Sequence, residues 1–144
     1  MKTLSTEIIL PAPPAKVWAV LMDFERYPEW NPFVTEILGR AELGAELDVR
    51  LSPPKGRPMT VHPTLVVLEP ERHFAWLGHL MITGLFDGEH HFELEPAAGE
   101  ATRLRHYENF TGLLVPALLR LVGDKTRAGF EAMNIALREH LAEA

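Results

Sequence analysis

No cysteine occurs among the 144 residues. That removes a disulfide framework, a thiolate zinc site and a cysteine nucleophile together, and a reducing cytoplasm is the natural setting for such a chain. Clusters of Lys and Arg are also missing, and the formal net charge is -6. Neutralising phosphates needs a basic patch, so no nucleic-acid partner is expected. Long apolar runs are absent as well. The longest, Gly112 to Leu119, is interrupted by Pro116 and falls far short of the roughly 20 residues that span a bilayer, so no transmembrane segment is expected. The first residues already read as a strand rather than a signal peptide. Internal repeats and low-complexity segments are lacking too.

What remains is the make-up of one domain covering residues 1–144, a length at which roughly 68–70% of the unfolded surface can be buried without staples. Ile8 and Leu10 close an opening strand, and Pro13 and Pro14 can occupy a first helical turn, where a missing N–H costs nothing. Val17, Trp18 and Leu21 then share a helical face until Pro28 stops the helix. Strand, turn, strand follows from Thr35 to Leu51, with Leu47, Val49 and Leu51 on one side. Pro53 to Pro58 is a surface loop, Thr60 to Leu68 a strand, and Phe74 to Leu80 the next.

The pair Leu85–Glu95 and Thr102–Thr111 is the best-specified part of the sheet. With the intervening loop centred on Ala98, Leu94 faces Thr102, Phe92 faces Leu104, His90 faces His106, Gly88 faces Glu108 and Phe86 faces Phe110. Large apolar side chains then share one face, Leu85 and Tyr107 excepted, while Asp87, Glu89, His91, Glu93, Arg103, Arg105 and Asn109 take the solvated one. From about Pro116 to Leu141 the spacing predicts a single helix. Its apolar stripe is Leu119, Val122, Thr126, Gly129, Phe130, Met133, Leu137 and Leu141, with Arg120, Arg127, Glu131, Asn134 and Arg138 opposite. These elements make an α+β protein whose curved antiparallel sheet wraps a long C-terminal helix, with short helices after the first strand.

Three segments resemble a known superfamily, the START-like, birch-pollen-allergen-like (SRPBCC) proteins, and within it the bacterial polyketide cyclase/dehydrase-like and lipid-transport-like members. They are Pro13-Pro14-Ala15-Lys16-Val17-Trp18 with Asp23-Phe24 and Tyr27-Pro28-Glu29-Trp30-Asn31-Pro32, then Phe86 to Leu94, then Phe110 to Pro116. The resemblance implies a helix-grip fold and a cavity between sheet and C-terminal helix that takes a small hydrophobic or amphipathic ligand such as a lipid, polyketide or quinone. None of these segments is a catalytic signature, so they speak to fold far more than to reaction.

Within that frame His90, His106 and Glu108 are the sharpest polar group. Two imidazoles and a carboxylate on one inward face suit general acid–base work in a cyclisation or dehydration; equally they suit a hydrogen-bonded wall that only orients a ligand. The same set is a legitimate ligand group for a metal, but no H-x-H or H-x-x-x-H spacing accompanies it, and neither metal nor cofactor is assigned. Trp76, Phe86 and Phe110 are expected on the concave face, Phe130 and Met133 on the helix facing it, and Trp30 and Phe33 at a lid or rim. Gly129 either widens the mouth or permits close packing. His62, His73, His79, His91 and His140 are expected to be exposed or half-exposed. Binding or transport of a hydrophobic ligand is the first functional reading, a cyclase or dehydratase the second, and a co-chaperone-like interaction module the third. The chain is expected as a monomer or homodimer.

Overall fold

A computed structural model describes residues 1–79 and 82–143. Its larger sheet is antiparallel, in the order β1 (Lys2–Leu10), β8 (Ala101–Thr111), β7 (Asp87–Ala97), β6 (His73–His79), β5 (Thr64–Glu69). Leu80, the expected end of the sixth strand, lies outside the described residues. The two longest strands, β7 and β8, have the faces read from the sequence but not the register. His90 lies opposite Glu108, Phe92 opposite His106 and Leu94 opposite Leu104, closing on Ala97 and Ala101. The reason is the turn. Gly99 and Glu100 take φ of +80° and +56°, so the chain reverses about Gly99 rather than Ala98 and Pro96 stays inside the strand. Each pair therefore slides by two positions, and an even slide leaves every side chain on its own face.

A second sheet joins β2 (Val34–Leu38), β3 (Asp48–Leu51) and β4 (Met59–Val61). The single strand expected from Thr60 to Leu68 is thus two strands in different sheets, broken at Pro63, which has no N–H to offer a ladder. The sheets are stitched together there: Leu65 N–H donates to Ala45 O, Gly44 N–H to Leu65 O and Leu47 N–H to Pro63 O, at 2.8–2.9 Å.

Two short helices, α1 (Pro14–Met22) and α2 (Tyr27–Trp30), flank a 3₁₀ turn at Phe24–Arg26 and close one end of the sheet. Val17 and Leu21 are fully buried beneath α1. Tyr27 is also fully buried, and its hydroxyl donates to the carbonyl of Leu21 at 2.7 Å. Asn31 Oδ1 accepts the N–H groups of Phe33 and Val34 at 3.0 and 2.9 Å, which fixes the entry into β2.

The long helix α3 (Val115–Glu143) lies across the concave face. Phe130, Met133, Leu137 and Leu141 are buried in the common core. At Gly129 a Cβ would collide with the ring of Phe33, so this glycine is there for close packing. The antiparallel sheet wrapped about a terminal helix is the helix-grip fold. Among the described residues no helix is long and apolar enough to cross a membrane.

Candidate functional site

Side chains two apart on a strand point the same way, so His106, Glu108 and Phe110 project from β8 into the concavity beside Gly88, His90 and Phe92 of β7. Although not directly opposed, the two histidines meet diagonally: His90 Nε2 lies 2.7 Å from His106 Nε2. His90 Nδ1 lies 3.3 Å from Glu108 Oε1, and His106 Nδ1 lies 2.8 Å from Asn134 Oδ1 on α3. Asn134 in turn donates from Nδ2 to Thr6 Oγ1 at 2.9 Å, and the Thr6 hydroxyl donates to the carbonyl of His106 at 2.7 Å. A polar chain therefore runs Thr6, Asn134, His106, His90, Glu108 through otherwise apolar surroundings.

Burial is nearly complete along it. His90 is 2% and His106 0% exposed, whereas the Glu108 side chain retains 17%. Desolvation holds the pKa of His106 well below the ordinary histidine value; facing His90 pushes the same way and the bond that His106 donates to Asn134 only partly opposes them.

Around the histidines the expected hollow is filled. The Phe130 ring stacks on His106 at 4.6 Å and meets His90 edge-on at 4.9 Å; Trp76 stacks on His90 at 5.2 Å and Phe92 on His106 at 4.5 Å. Aromatic side chains of this size bury 150–250 Å² each, by a rough general figure, which leaves the imidazoles walled in by rings. Phe33, expected at a lid or rim, is 2% exposed and packs on Phe130 at 5.7 Å. Met133 is fully buried in the core cluster.

Beyond Glu108 the packing loosens. Phe110 is buried, half-buried Phe86 lies 5.3 Å from it, and Leu114 just before α3 and Leu118 and Leu119 in its first turns are only half-covered, with Val122 42% exposed. Glu108 thus stands between the sealed histidines and a partly open apolar mouth. Trp30 is elsewhere: it stacks on His140 at 5.7 Å and lines a surface hollow of about 220 Å³ with Lys16, Asp23 and Arg26.

Two residues central to this chain were not singled out by the sequence reading. Asn134 had been placed on the outer face of the helix, yet it is 3% exposed. At about 100° per residue it lies roughly 40° from Phe130, closer than Met133 at roughly 60°, so spacing alone could have put it on the inner stripe. Thr6 carried no signal beyond strand alternation. His91, expected to be at least half-exposed, is 6% exposed on the outer face. It stacks on Tyr107 at 4.6 Å, and its ring nitrogens lie 2.8 Å from His73 and 2.6 Å from Glu89.

A surface concavity of about 750 Å³ is lined by Pro13, Arg72, His73, Glu93, Arg103 and Arg105 among others. It does not include the polar chain. Two of its arginines are engaged by carboxylates, Arg103 with Glu95 at 3.0 Å and Arg105 with Glu93 at 3.4 Å, and such a charged wall does not suit an apolar ligand.

Residues 1–143 match the family model described as polyketide cyclase / dehydrase and lipid transport. The chain belongs to that family. Among solved structures it is similar to a START superfamily protein from Mycobacterium smegmatis, at 18% identity and a TM-score of 0.74, over 98% of this chain and 97% of the other. Ara h 8.0201 aligns at 18% identity and a TM-score of 0.67, over 99% of both chains. The di-domain ARO/CYC StfQ from the steffimycin biosynthetic pathway aligns at 18% and 0.69, over 99% of this chain and 52% of that one. Identities this low speak for the shared fold alone. No curated protein matches the chain. In the cyclase/dehydrase and lipid-transport family member described here, a polar chain facing the concavity ends at Glu108.

Proposed function

We propose that this protein binds a small hydrophobic or amphipathic ligand between its sheet and α3, with the apolar body against Phe86, Phe110 and the first turns of α3 and the polar end at Glu108. One observation carries this reading: a buried polar chain ends on a carboxylate that is still 17% exposed, beside half-covered apolar residues. A buried polar group wants a partner, and the position of Glu108 leaves one to be supplied from the mouth. His90 and His106 act behind it, holding Glu108 in place rather than touching the ligand. Trp76, Phe130 and Met133 form the floor.

Thermal shift against a lipid, polyketide and quinone library tests the reading, because a ligand of the folded state raises its stability by RT ln(1 + [L]/Kd). Native mass spectrometry of freshly purified protein adds a direct look for a co-purifying apolar molecule. Saturable stabilisation that weakens in Phe110→Ala is the expected result. Failure of every compound to shift the transition would count against the proposal and favour an interaction module.

A second reading, cyclisation or dehydration of a polyketide-like substrate, draws support from the contact of the His90 imidazole with the Glu108 carboxyl group, 3.3 Å apart. Loss of turnover in His90→Ala with affinity retained would favour it.

A further inference from the structure

The hydrogen-bond directions along the polar chain lead to a conclusion about its free end. A backbone carbonyl can only accept, so the Thr6 hydroxyl donates its one proton to the His106 carbonyl. Thr6 Oγ1 must then accept from Asn134, which identifies the nearer Asn134 atom as the amide nitrogen and turns Oδ1 toward His106. Asn134 Oδ1 can only accept, so His106 carries its proton on Nδ1 and offers a lone pair at Nε2. His90 must donate from Nε2 to it across 2.7 Å. A hydrogen bond between His90 Nδ1 and Glu108 Oε1 then needs one proton between them.

That proton sits on His90 Nδ1 or on Glu108 Oε1, and for the outer oxygen the two cases are alike. Glu108 Oε2 is an acceptor either way: a carboxylate oxygen in the first, the carbonyl oxygen of an acid in the second. Oε2 lies over Gly88, where an added Cβ would collide with it, so the missing side chain of Gly88 is what gives this oxygen its place. Resting on the binding reading above, we infer that the site selects ligands whose polar end is a hydrogen-bond donor, that is, a hydroxyl, phenol or enol on an apolar body. A ketone, an ether or a carboxylate presents only lone pairs to Oε2 and leaves it unsatisfied.

Isothermal titration with matched pairs tests this: 1-dodecanol, 1-naphthol and 2-hydroxyanthracene, each against its methyl ether, with 2-acetylnaphthalene as the ketone. The hydroxyl member should bind about tenfold tighter, equivalent to about 1.4 kcal/mol. In Glu108→Gln the amide N–H can donate to His90 Nδ1 and leave its oxygen outward, so the preference should persist. Glu108→Met should abolish it; should that variant fail to fold, Gly88→Ala displaces the same carboxylate and should do likewise. Ethers or the ketone binding as well as the hydroxyl compounds would overturn donor selection while leaving ligand binding intact. No binding by any member would overturn both.

Discussion

Asn134 on α3 fixes the proton of His106 on β8, through the 2.8 Å contact between Oδ1 and Nδ1. The helix therefore dictates the tautomer of a strand histidine, and through it the direction of the hydrogen bond that joins the two imidazoles. Removing the amide should be felt twice. Asn134→Leu leaves the buried His106 Nδ1–H without an acceptor, a loss of roughly 1–3 kcal/mol to be read from urea unfolding. It also frees the ring, so nitrogen chemical shifts should change from a single Nδ1–H form to one carrying Nε2–H. A wild-type spectrum already showing Nε2–H would contradict the assigned directions.

Acid should destabilise the fold through the same residue. The folded pKa of His106 is depressed by burial, so below the ordinary histidine value of 6.5 the unfolded chain binds a proton that the native one refuses. Stability is then present above that pH and lost as pH falls toward the folded value, at up to about 1.4 kcal/mol per pH unit for one histidine. His91, lowered chiefly by burial, adds in the same direction. His106→Gln should flatten the slope by close to one proton. An unchanged slope between pH 6.5 and 5, measured by unfolding at a series of pH values, would show that His106 does not carry it.

Under Phe33 there is no room to spare. Gly129→Ala gains roughly 0.8–1.0 kcal/mol of helix propensity, but the new methyl meets a ring that is 2% exposed and whose backbone is held by Asn31. Overpacking of this kind costs roughly 1–3 kcal/mol, so a net loss near the middle of that difference is expected in thermal unfolding. Adding Phe33→Ala should make the Gly129→Ala change neutral or favourable, since it removes the clash. Without such coupling between the two positions, the packing account of Gly129 fails.

Much of the architecture was legible because period-two and period-3.6 patterns survive small errors. The faces of β7 and β8 were correct although their register was two places off, since an even slide cannot turn a side chain over. The sheet wrapped about a terminal helix, and the bounds of α3 to within two residues, followed from long, strongly patterned segments, while the helix-grip fold was what the family resemblance implied. The left-handed pair Gly99–Glu100 was not legible, because the loop chemistry allowed either centre. Nor was the break at Pro63, where a local steric rule met a tertiary choice between two sheets. Of the site, His90, His106 and Glu108 were placed on one face from alternation. Asn134 was missed because its polarity outweighed its position. The filled interior was missed because alternation says which way Phe33, Trp76 and Phe130 point and nothing about how far their rings reach.

The stitching of residues 44–47 onto β5 has an effect on how the molecule meets others of its kind. An outermost strand normally presents unpaired amides and carbonyls that invite a neighbouring chain to add itself. Here Leu65 spends both its N–H and its carbonyl on Ala45 and Gly44, and the carbonyl of Pro63 is taken by Leu47. At residues 63–65 that border is already occupied by the protein's own backbone, so this stretch offers little template for fibril-like growth.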